Sequence, residues 1–446
     1  MTEKRPVRVL ILGGGFGGMY AALEFERILA KDDSLEVTLV NEDNFFLFTP
    51  MLHEVAASDL DPSTIVNPVR KLLRRVRFFN GRVEEIDLAA RRVLAAHGGS
   101  EHPHRLEYDH LVIALGARTN FFGIPGLAER ALTMRSLADA ITLRSRLIQH
   151  LEEADFECSI GARKDLLTIV VAGAGFAGVE TVAGINDFLR EAIPHYPNLT
   201  EESLRLVLVD PVPEILPELG GRLGPYARRK LTERRVEVRL ETGVRAVTDA
   251  GVELSDGTTI PTRLLVWTAG NATNALVTAL SCPKERGRLV VDDRLRVPGF
   301  SGVWALGDCA SVPDPKTGKP HPPTAQHALR QGRVLARNVY AAIRGEELTP
   351  FSFSTIGQLA AIGRRTGVAR IFGFQFSGFL AWWLWRTIYL SKLPRLEKKV
   401  RVLLDWSLDL FFSKDLVQLG SSRGAPARIP AGAEVTAVES VSVLSS

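Results

Sequence analysis

Two short glycine-rich segments carry the residues whose type and spacing point most directly to chemistry. Both have G-x-G-x-x-G spacing, at Gly13, Gly15 and Gly18 in VLILGGGFGG and at Gly173, Gly175 and Gly178 in LTIVVAGAGFAGVE. In this pattern the first glycine permits a tight turn, the second lets the backbone approach a pyrophosphate, and the third lets a helix pack closely on a strand. Two copies predict that one chain binds two dinucleotides and passes electrons between them.

The elements around these glycines are those expected of a nucleotide-binding unit. Each segment follows a β-branched, apolar run and leads into a helix-like stretch, whose N-terminus would receive the phosphate charge. An acid at the end of the next strand should accept the ribose hydroxyls. Glu42, or failing that Asp43, fits this role in the first unit and Asp210 in the second. Because Asp210 would repel a 2′-phosphate, NADH is predicted rather than NADPH. Two further strands stop at glycine turns, which adds Gly116 to the first site and Gly270 to the second.

A third signal, SGVWALGDCA (301–310), indicates that the chain returns to the first domain. A strand ending in Gly307-Asp308 after two such motifs is typical of the ribityl–pyrophosphate contact of bound FAD. The helix in 322–339 has Thr324 as its expected N-cap, and its positive end is predicted to face the N1–C2=O edge of the isoalloxazine. The same helix could also be an ordinary amphipathic helix that closes the domain.

Length and composition fit a large enzyme of several domains. The chain has 446 residues, of which 46% are apolar and 24% charged, and this length suggests two or three domains. The predicted fold is α/β, with two Rossmann-like dinucleotide-binding domains, one for FAD and one for NADH, and a C-terminal amphipathic helical segment that binds a membrane. The predicted ranges are 1–120 and 286–348 for the FAD domain, 121–285 for the NADH domain, 349–420 for a membrane-association or dimer segment, and 421–446 for a disordered tail.

Cysteine usage and charge indicate the compartment and the kinds of partner. Cys158, Cys282 and Cys309 are widely spaced, so neither a disulfide framework nor a metal site is predicted, and a reducing compartment is favoured. The N-terminal MTEKRPVRVLIL runs straight into the first strand, which predicts no signal peptide. A net charge of +4 is too small to indicate nucleic-acid binding, but it would help at an anionic membrane surface.

The C-terminal region holds four of the six tryptophans, between residues 382 and 406. The apolar run 372–390 is interrupted by glycine and polar residues, which disfavours a membrane-spanning helix. The run 393–412 separates an apolar stripe from a charged face, and this predicts a helix lying in the plane of a membrane surface. The stripe consists of Leu393, Leu396, Val400, Leu403, Leu404, Leu410 and Phe411, and the charged face of Lys398, Arg401, Asp405 and Asp409. The alternative is a helical hairpin packed on the protein or in a dimer interface.

On these motifs and on longer ones, the chain resembles the type II NADH dehydrogenases, the single-subunit NADH:quinone oxidoreductases of respiratory membranes. The resemblance covers about residues 7–412, and its more specific motifs are NFFLFTPMLHEVA (44–56), VIALGARTNFFGIPG (112–126), PTAQHALRQG and STIGQLAAIGRRTGVA (354–369). It implies bound non-covalent FAD, hydride transfer from NADH to flavin N5, electron transfer to a membrane quinone and no proton pumping. It also implies a peripheral position on the cytoplasmic face of a cell membrane.

The resemblance further implies roles for individual residues. Those for FAD are Gly15, Phe16 and Gly17 at the pyrophosphate, Glu42 at the ribose, Val83 at the adenine through its backbone, Thr49 and Pro50 beside the isoalloxazine, and Asp308 at the ribityl chain. Those for NADH are Gly175, Phe176, Glu180 and Asp210, with Glu180 near the nicotinamide. Ala325 and Gln326 should contact both the flavin and the quinone head group. Glu180 and Gln326 are assigned positioning or proton-relay roles; for Glu180 a solvated carboxylate at a helix start is the alternative.

The chain departs from the family pattern at three positions. The quinone motif usually reads AQxAxQ, but Arg330 occupies the place of its last glutamine and Gln331 follows one step later. Both are candidates for the quinone site, where Arg330 would change the polarity. Asn41 stands where an acid is common, and its role is given to Glu42. Asn271 follows Thr-Ala-Gly where an apolar residue is more usual, and no role is assigned to it.

Three other functions remain open at this stage. A sulfide:quinone oxidoreductase shares the architecture but needs two redox cysteines near the flavin, a role for which Cys158 and Cys309 are poorly placed. A soluble disulfide reductase would need a C-x4-C motif that is absent, and the amphipathic tail disfavours both it and a ferredoxin-type reductase. A flavin- and NADH-binding scaffold or signalling protein with incidental catalysis would be recognised by its slow turnover with a short-tailed quinone.

Overall fold

A five-stranded parallel sheet carries the first glycine-rich unit in the computed structural model, which describes residues 5–98 and 102–418. In pairing order its strands are β22 (Val303–Ala305), β9 (His110–Ile113), β1 (Val7–Leu12), β2 (Leu35–Asn41) and β5 (Arg77–Asn80). Because β22 follows the second unit in the chain, the polypeptide does return to the first sheet. The exact domain boundaries given above stay predictions, and the tail 421–446 lies outside the described residues.

The second unit repeats this arrangement. Its parallel strands, in pairing order, are β11 (Leu132–Thr133), β18 (Leu264–Trp267), β12 (Thr168–Ala172), β13 (Arg205–Val209) and β14 (Val236–Arg239). In both sheets the strand that precedes the glycine turn lies in the centre. Every residue of β12 and β18 is buried, as expected for a parallel sheet covered on both faces.

Six smaller sheets and two-strand ladders surround the two units. They are β3 (Phe45–Leu47) with β4 (Val66–Pro68); β6 (Arg82–Asp87), β7 (Arg92–His97) and β8 (His102–Glu107); β10 (Ala117–Thr119) with β19 (Asn271–Thr273); β15 (Val244–Thr248), β16 (Gly251–Leu254) and β17 (Thr259–Ile260); β20 (Lys284–Glu285), β21 (Arg288–Val290) and β23 (Ala310–Ser311); and β24 (Gly357–Ala361), β25 (Gly367–Ile371) and β26 (Phe374–Gly378).

The helices cover the sheets and form the C-terminal segment. They are α1 (Phe16–Ile28), α2 (Leu52–Ala56), α3 (Val69–Leu72), α4 (Leu127–Arg130), α5 (Leu137–Phe156), α6 (Ile160–Leu167), α7 (Phe176–Ala192), α8 (Leu223–Glu233), α9 (Ala275–Ala279), α10 (Ala325–Arg344), α11 (Phe379–Lys392) and α12 (Leu396–Leu408). Short 3-10 turns lie at Thr49–Met51, Ile193–His195, Glu201–Ser203 and Gly307–Cys309. One continuous buried core includes side chains from both units and from α11 and α12.

The glycine turns have the geometry that their spacing predicts. Gly13 has a φ of +99°, which a residue with a side chain rarely adopts. A Cβ added to Gly18 would lie 1.8 Å from the carbonyl oxygen of Gly13, and one added to Gly178 would lie 1.7 Å from that of Gly173. Glycine at these two positions therefore allows helices α1 and α7 to pack against the turns that precede them.

The two apolar runs of the C-terminal segment have different structures. Residues 374–378 form strand β26, where phenylalanines alternate with Gln375 and Ser377 at the strand period of two, so the run 372–390 is not one helix. Helix α12 turns its predicted apolar stripe outward: Leu396, Val400, Leu403, Leu404, Leu410 and Phe411 are all exposed, whereas Leu393 is buried.

The predicted charged face of α12 is partly turned toward the protein. Lys398 is buried and its Nζ donates to the carbonyl of Ser63, while Val402 and Trp406 pack into the core. Among the helices of the described residues, none is long and apolar enough to cross a bilayer. Because the side of α12 that contains Lys398, Val402 and Trp406 faces the protein, the side that contains the leucines remains exposed.

Gly178, which packs against a turn, and Gly15, which does not, give a matched stability test. We expect Gly178→Ala to destabilise the fold by about 1–3 kcal/mol because its Cβ would overlap a backbone oxygen. In the FAD-free protein, Gly15→Ala should leave stability unchanged or raise it slightly, because Gly15 has a φ of −71° and its Cβ would meet no protein atom within 4 Å. Urea unfolding measures both variants. Equal losses would contradict the packing argument.

Candidate functional site

A cavity of about 830 Å³ lies where the two glycine units, helix α10 and the C-terminal helices meet. Its volume is within the range of cofactor and substrate sites. Many of the predicted site residues line it, namely Phe16, Thr49, Pro50, Phe176, Glu180, Gly270, Ala325, Gln326 and Arg330. The fold therefore brings together residues from both units and from the predicted quinone motif.

The first residues of α1 and α7 leave room for pyrophosphate. Neither helix has a side-chain cap on its first N–H groups, and a Cβ added to Gly15 or to Gly175 would meet nothing within 4 Å. An uncapped helix N-terminus beside open space is a suitable anion site, because the N–H groups and the helix dipole both favour negative charge. The two cradles thus fit the pyrophosphates of FAD and of NADH.

The ends of the second strands contact the glycine turns in the same way in both units. In the second unit, Ala174 N donates to Asp210 Oδ2 at 2.5 Å, and in the first unit Gly14 N donates to Asn41 Oδ1 at 2.7 Å. Asn41 is therefore the structural counterpart of Asp210. Glu42, the residue predicted to contact the ribose, lies one position later and is exposed. Asn41 therefore has the same contact with its glycine turn as Asp210, and the role of Glu42 at the ribose stays a prediction.

The start of α10 borders the cavity with Thr324, Ala325 and Gln326. Thr324 is the N-cap residue as predicted, but its hydroxyl makes no capping bond; instead it lies 2.7 Å from His327 Nδ1. The first N–H groups of α10 therefore have no side-chain cap. Gln326 Nε2 donates to the carbonyl of Gly357 at 3.0 Å, which fixes its carboxamide against strand β24.

Asp308 lies in the turn after β22, within the electrostatic influence of two arginines that the sequence did not reveal. Burial raises the pKa of Asp308, and the charges of Arg135 and Arg288 oppose that rise. Arg135 lines the cavity and donates to Asn271 Oδ1 at 2.6 Å. Asn271, which had no predicted role, therefore holds Arg135 in place. A polar residue after Thr-Ala-Gly was the only sequence signal of this contact.

Glu180 is buried, so the solvated alternative for it is wrong. The side chain lies on α7 with 8% of the residue exposed, and it lines the cavity. Its Oε1 accepts hydrogen bonds from Ala361 N at 3.1 Å and from Trp385 Nε1 at 3.0 Å. Burial raises the pKa of Glu180 to about 8 although both hydrogen bonds favour the charged form. The carboxyl group therefore holds a proton at neutral pH.

His53 is a cavity residue that sequence reasoning missed, although it lies in the quoted NFFLFTPMLHEVA motif. Its Nδ1 lies 3.8 Å from Glu180 Oε2. Burial lowers the pKa of His53 to about 3, so both groups are neutral at pH 7 and the contact is not an ion pair. The His53 ring packs edge-on against Trp385, which in turn contacts Tyr389.

The two candidates in the quinone motif have different positions. Arg330 lines the cavity, stacks over the Phe353 ring at 4.0 Å and donates to the carbonyl of Gln326 at 2.8 Å. Gln331 is buried away from the cavity, and its Oε1 accepts from Gly307 N at 2.8 Å. The assignment of Gln331 to the quinone site is therefore corrected, because successive residues of a helix point in different directions.

Eight predicted FAD residues lie outside the cavity lining, namely Gly13, Gly15, Gly17, Gly18, Glu42, Val83, Gly116 and Asp308. Gly13 and Gly17 belong to the packed turn and first helix, and Val83 is buried in strand β6. Gly116, with a φ of +62°, follows β9 beside the turn that contains Asp308. These residues can serve a dinucleotide that extends from the cavity along the glycine turn, and their roles stay predictions.

The cysteines do not form a redox pair. Cys158 is exposed after α5, and Cys309 is fully buried with its thiol 3.2 Å from the carbonyl of Leu306. Burial raises the pKa of Cys309 to about 11, which disfavours a reactive thiolate. Within the described residues no cluster of metal-binding side chains is found.

Comparison with known families gives two matches that together cover most of the chain. The family model for pyridine nucleotide-disulphide oxidoreductases matches residues 7–332, and that for the NDH2 C-terminal domain matches residues 356–415. A probable NADH dehydrogenase of Dictyostelium discoideum is 32% identical over 92% of this chain and 90% of that protein. The type II NADH:quinone oxidoreductase Ndh of Mycobacterium tuberculosis is 32% identical over 90% of this chain and 87% of that protein.

Solved structures show the same fold. NDH2 from Plasmodium falciparum in complex with NADH has a TM-score of 0.87 at 20% identity, over 93% of this chain and all of that one. The sulfide:quinone oxidoreductase of Aquifex aeolicus has a TM-score of 0.67 at 17% identity, over 91% of this chain and 95% of that one. Both likenesses concern the fold, and the TM-score is higher for the NDH2 structure.

The protonated state of Glu180 predicts a pH-dependent stability. A carboxyl group whose pKa is higher in the folded protein than in the unfolded chain stabilises the fold below its unfolded pKa and loses that contribution as the pH rises through its folded pKa. We therefore expect the free energy of unfolding to fall by on the order of a few kcal/mol between about pH 5 and pH 9. Glu180→Gln should make this fall smaller. Urea unfolding at several pH values measures it, and an unchanged slope would contradict the assigned protonation.

Proposed function

The chain belongs to the type II NADH:quinone oxidoreductases, and from that premise we propose which of its residues carry out the reaction. It is an FAD-dependent enzyme that oxidises NADH and reduces a quinone without pumping protons. The observation that best supports the residue assignment is the single cavity shared by both glycine units, α10 and the C-terminal helices. The electron donor, the flavin and the acceptor must come close together, and this cavity is lined by the elements proposed to bind each of them.

FAD would be held by the first glycine turn, Asn41 and Asp308, with its ring beside Thr49 and Ala325. When bound, it accepts a hydride and passes electrons on, chemistry that no side chain of the protein supplies. The protein's own contribution is alignment and charge. The uncapped N-terminus of α10 places partial positive charge beside Ala325 and Gln326, where it would stabilise negative charge on a reduced ring.

NADH would enter from the second unit, with its pyrophosphate at Gly175 and its ribose at Asp210. Phe176 and Gly270 line the cavity where the nicotinamide would lie against the flavin. Because Glu180 is protonated and buried next to this position, it neither repels nor attracts the hydride strongly. We assign it to proton delivery toward the quinone rather than to hydride transfer.

The quinone would enter beside α11 and α12. Tyr389, Lys392, Leu393 and Pro394 line this end of the cavity, next to helices whose outer faces are apolar. Arg330 lies here in place of the usual glutamine, and its guanidinium could donate to a quinone oxygen. Gln326, one turn earlier on the same face of α10, would orient the head group.

The protein associates with membranes peripherally, and we propose the α12 stripe as the contact. The match to the NDH2 C-terminal domain supports membrane association, and the exposed leucines supply the apolar area. We further propose the cytoplasmic face of the membrane, because NADH is a cytoplasmic metabolite and the three cysteines are free thiols. A homodimer through the same helices is a second possible use of this surface.

Nucleotide choice gives one test. Asp210→Asn keeps an acceptor for Ala174 N but removes the charge that would repel a 2′-phosphate. We expect the ratio of kcat/KM for NADH to that for NADPH to fall by about tenfold or more, a change of roughly 1.4 kcal/mol. Asn41→Asp is the matched control, because it changes charge at the counterpart position of the first unit. An unchanged ratio in Asp210→Asn would refute the ribose assignment.

Membrane contact gives another test. Leu403 and Leu404 are 52% and 55% exposed, so replacing both with lysine should not disturb the core. If the membrane buries both leucines, each contributes about 1.5 kcal/mol to binding. Their loss should therefore weaken vesicle binding by about a hundredfold, which co-sedimentation measures. The control replaces Phe156 and Ile160 with lysine, since these are also exposed apolar residues but lie outside the C-terminal segment. Equal loss in both double variants would exclude α12 as the specific contact.

A further inference from the structure

A second buried carboxyl group, Glu54, lies behind the cavity and is not needed by the reaction as described so far. It follows His53 on α2, is 5% exposed and is not among the cavity-lining residues. Trp406 Nε1 donates to its Oε2 at 3.3 Å. Burial raises the pKa of Glu54 to about 8, so this group also holds a proton at neutral pH. The two tryptophans on the inner faces of α11 and α12 thus each donate to one buried carboxyl.

The charges nearest to Glu54 come from three different elements. Arg386 of α11 lies between the rings of Trp382 and Trp406, at 4.3 Å and 4.6 Å, and its charge opposes the rise in the pKa of Glu54. Asp59, after α2, adds to that rise, and Lys414, after α12, opposes it. Lys414 Nζ and Asp59 Oδ1 form an ion pair at 2.6 Å. The neighbouring charges therefore shift the pKa of Glu54 in both directions, and no single ion pair sets its protonation state.

Further charged groups face this cluster from the surrounding helices. They are Asp187 of α7 and Asp409 at the end of α12, whose charges act on Asp59 and Arg386. The side chain of Asp59 is 19% exposed, whereas that of Lys414 is 5% exposed. The cluster therefore extends from Glu54 to a partly exposed carboxylate at the surface.

Glu54 is also coupled to the cavity. A negative charge on Glu54 raises the pKa of Glu180, so the two carboxyl groups influence each other electrostatically. His53, the residue before Glu54, lies beside Glu180. Glu54 thus interacts electrostatically both with Glu180, which lines the cavity, and with Asp59, whose side chain is 19% exposed.

The stoichiometry of the reaction requires such a connection. NADH gives up two electrons and one proton from nicotinamide C4, whereas a quinol contains two electrons and two protons more than the quinone. Each turnover therefore takes up one proton from solvent. Resting on the proposed NADH:quinone oxidoreductase function, we propose that Glu54 is a relay residue for this proton, returning to Glu180 the proton that Glu180 gives to the quinone oxygen and regaining it by way of Asp59.

Glu54→Gln tests the relay, because glutamine keeps an acceptor for Trp406 but cannot hold the proton. We expect kcat with a short-tailed quinone to fall by about tenfold or more. With ferricyanide, an acceptor that takes electrons only, NADH oxidation should stay at the rate of the unchanged protein. The alkaline decline of the quinone rate should also move to lower pH, because removing the charge of Glu54 lowers the pKa of Glu180.

The matched control is Asp155→Asn. Asp155 is a buried carboxyl of α5 that accepts from Asn198 N at 2.9 Å and lies outside the cluster. It should change neither acceptor's rate nor the pH profile. An unchanged quinone rate and profile in Glu54→Gln would overturn the relay. Absence of quinone reduction in the unchanged protein, with ferricyanide reduction intact, would instead reject the proposed function.

A second measurement does not depend on how Glu54→Gln folds. Infrared difference spectra of the unchanged protein between pH 6.5 and pH 10 should show two protonated carboxyl bands that disappear as the pH rises. Glu180→Gln should leave one of them, and Glu54→Asp, which can still hold a proton, should restore part of the quinone rate. A single band that is lost in Glu180→Gln would overturn the proposal.

Discussion

Acidic side chains buried beneath an outward-facing apolar surface are the constraint on which the site depends. Trp385 and Trp406 come from the inner faces of helices whose outer faces expose leucine and phenylalanine, and their indoles donate to Glu180 and Glu54. A buried carboxyl without such partners would be costly. The C-terminal helices are therefore more than an attachment to a finished enzyme. They exclude water from both carboxyl groups and so set the protonation state in which the cavity operates.

The dinucleotide units could be predicted because their information is local. The turn, the close helix and the acid at the next strand end all lie within a short stretch, and β1 and β12 have the glycine geometry and central positions that the spacing implies. The contacts of Glu180 could not be predicted in this way. Trp385 is 205 residues away in the chain, and no periodicity encodes that contact. A helical wheel likewise divided α12 into two faces without showing which face meets the protein.

Side-chain direction separates two pairs of neighbouring residues at the site. Glu42 and Gln331 each lie one residue from the position that contacts the glycine loop or the cavity. In a strand or a helix a step of one residue redirects the side chain, so a role moved to the nearest suitable residue type falls on a different face. Of the two pairs of neighbours, Asn41 contacts the glycine turn and Arg330 lines the cavity. In the quinone motif, residue type was therefore a poorer guide than position.

The charge of the cavity follows from these protonation states. Its lining contains Arg135, Arg330, Arg333 and Lys392, and Glu180 is the only acid among the lining residues described. With Glu180 protonated, the lining is positive, and the start of α10 adds further positive potential. Negative charge develops on a flavin or quinone as electrons arrive, so this field favours the transfer in both half-reactions. An ionised Glu180 would cancel part of that field at the place where it is needed. A carboxyl group that burial keeps neutral can instead donate a proton and, in the proposed relay, then be reprotonated by Glu54.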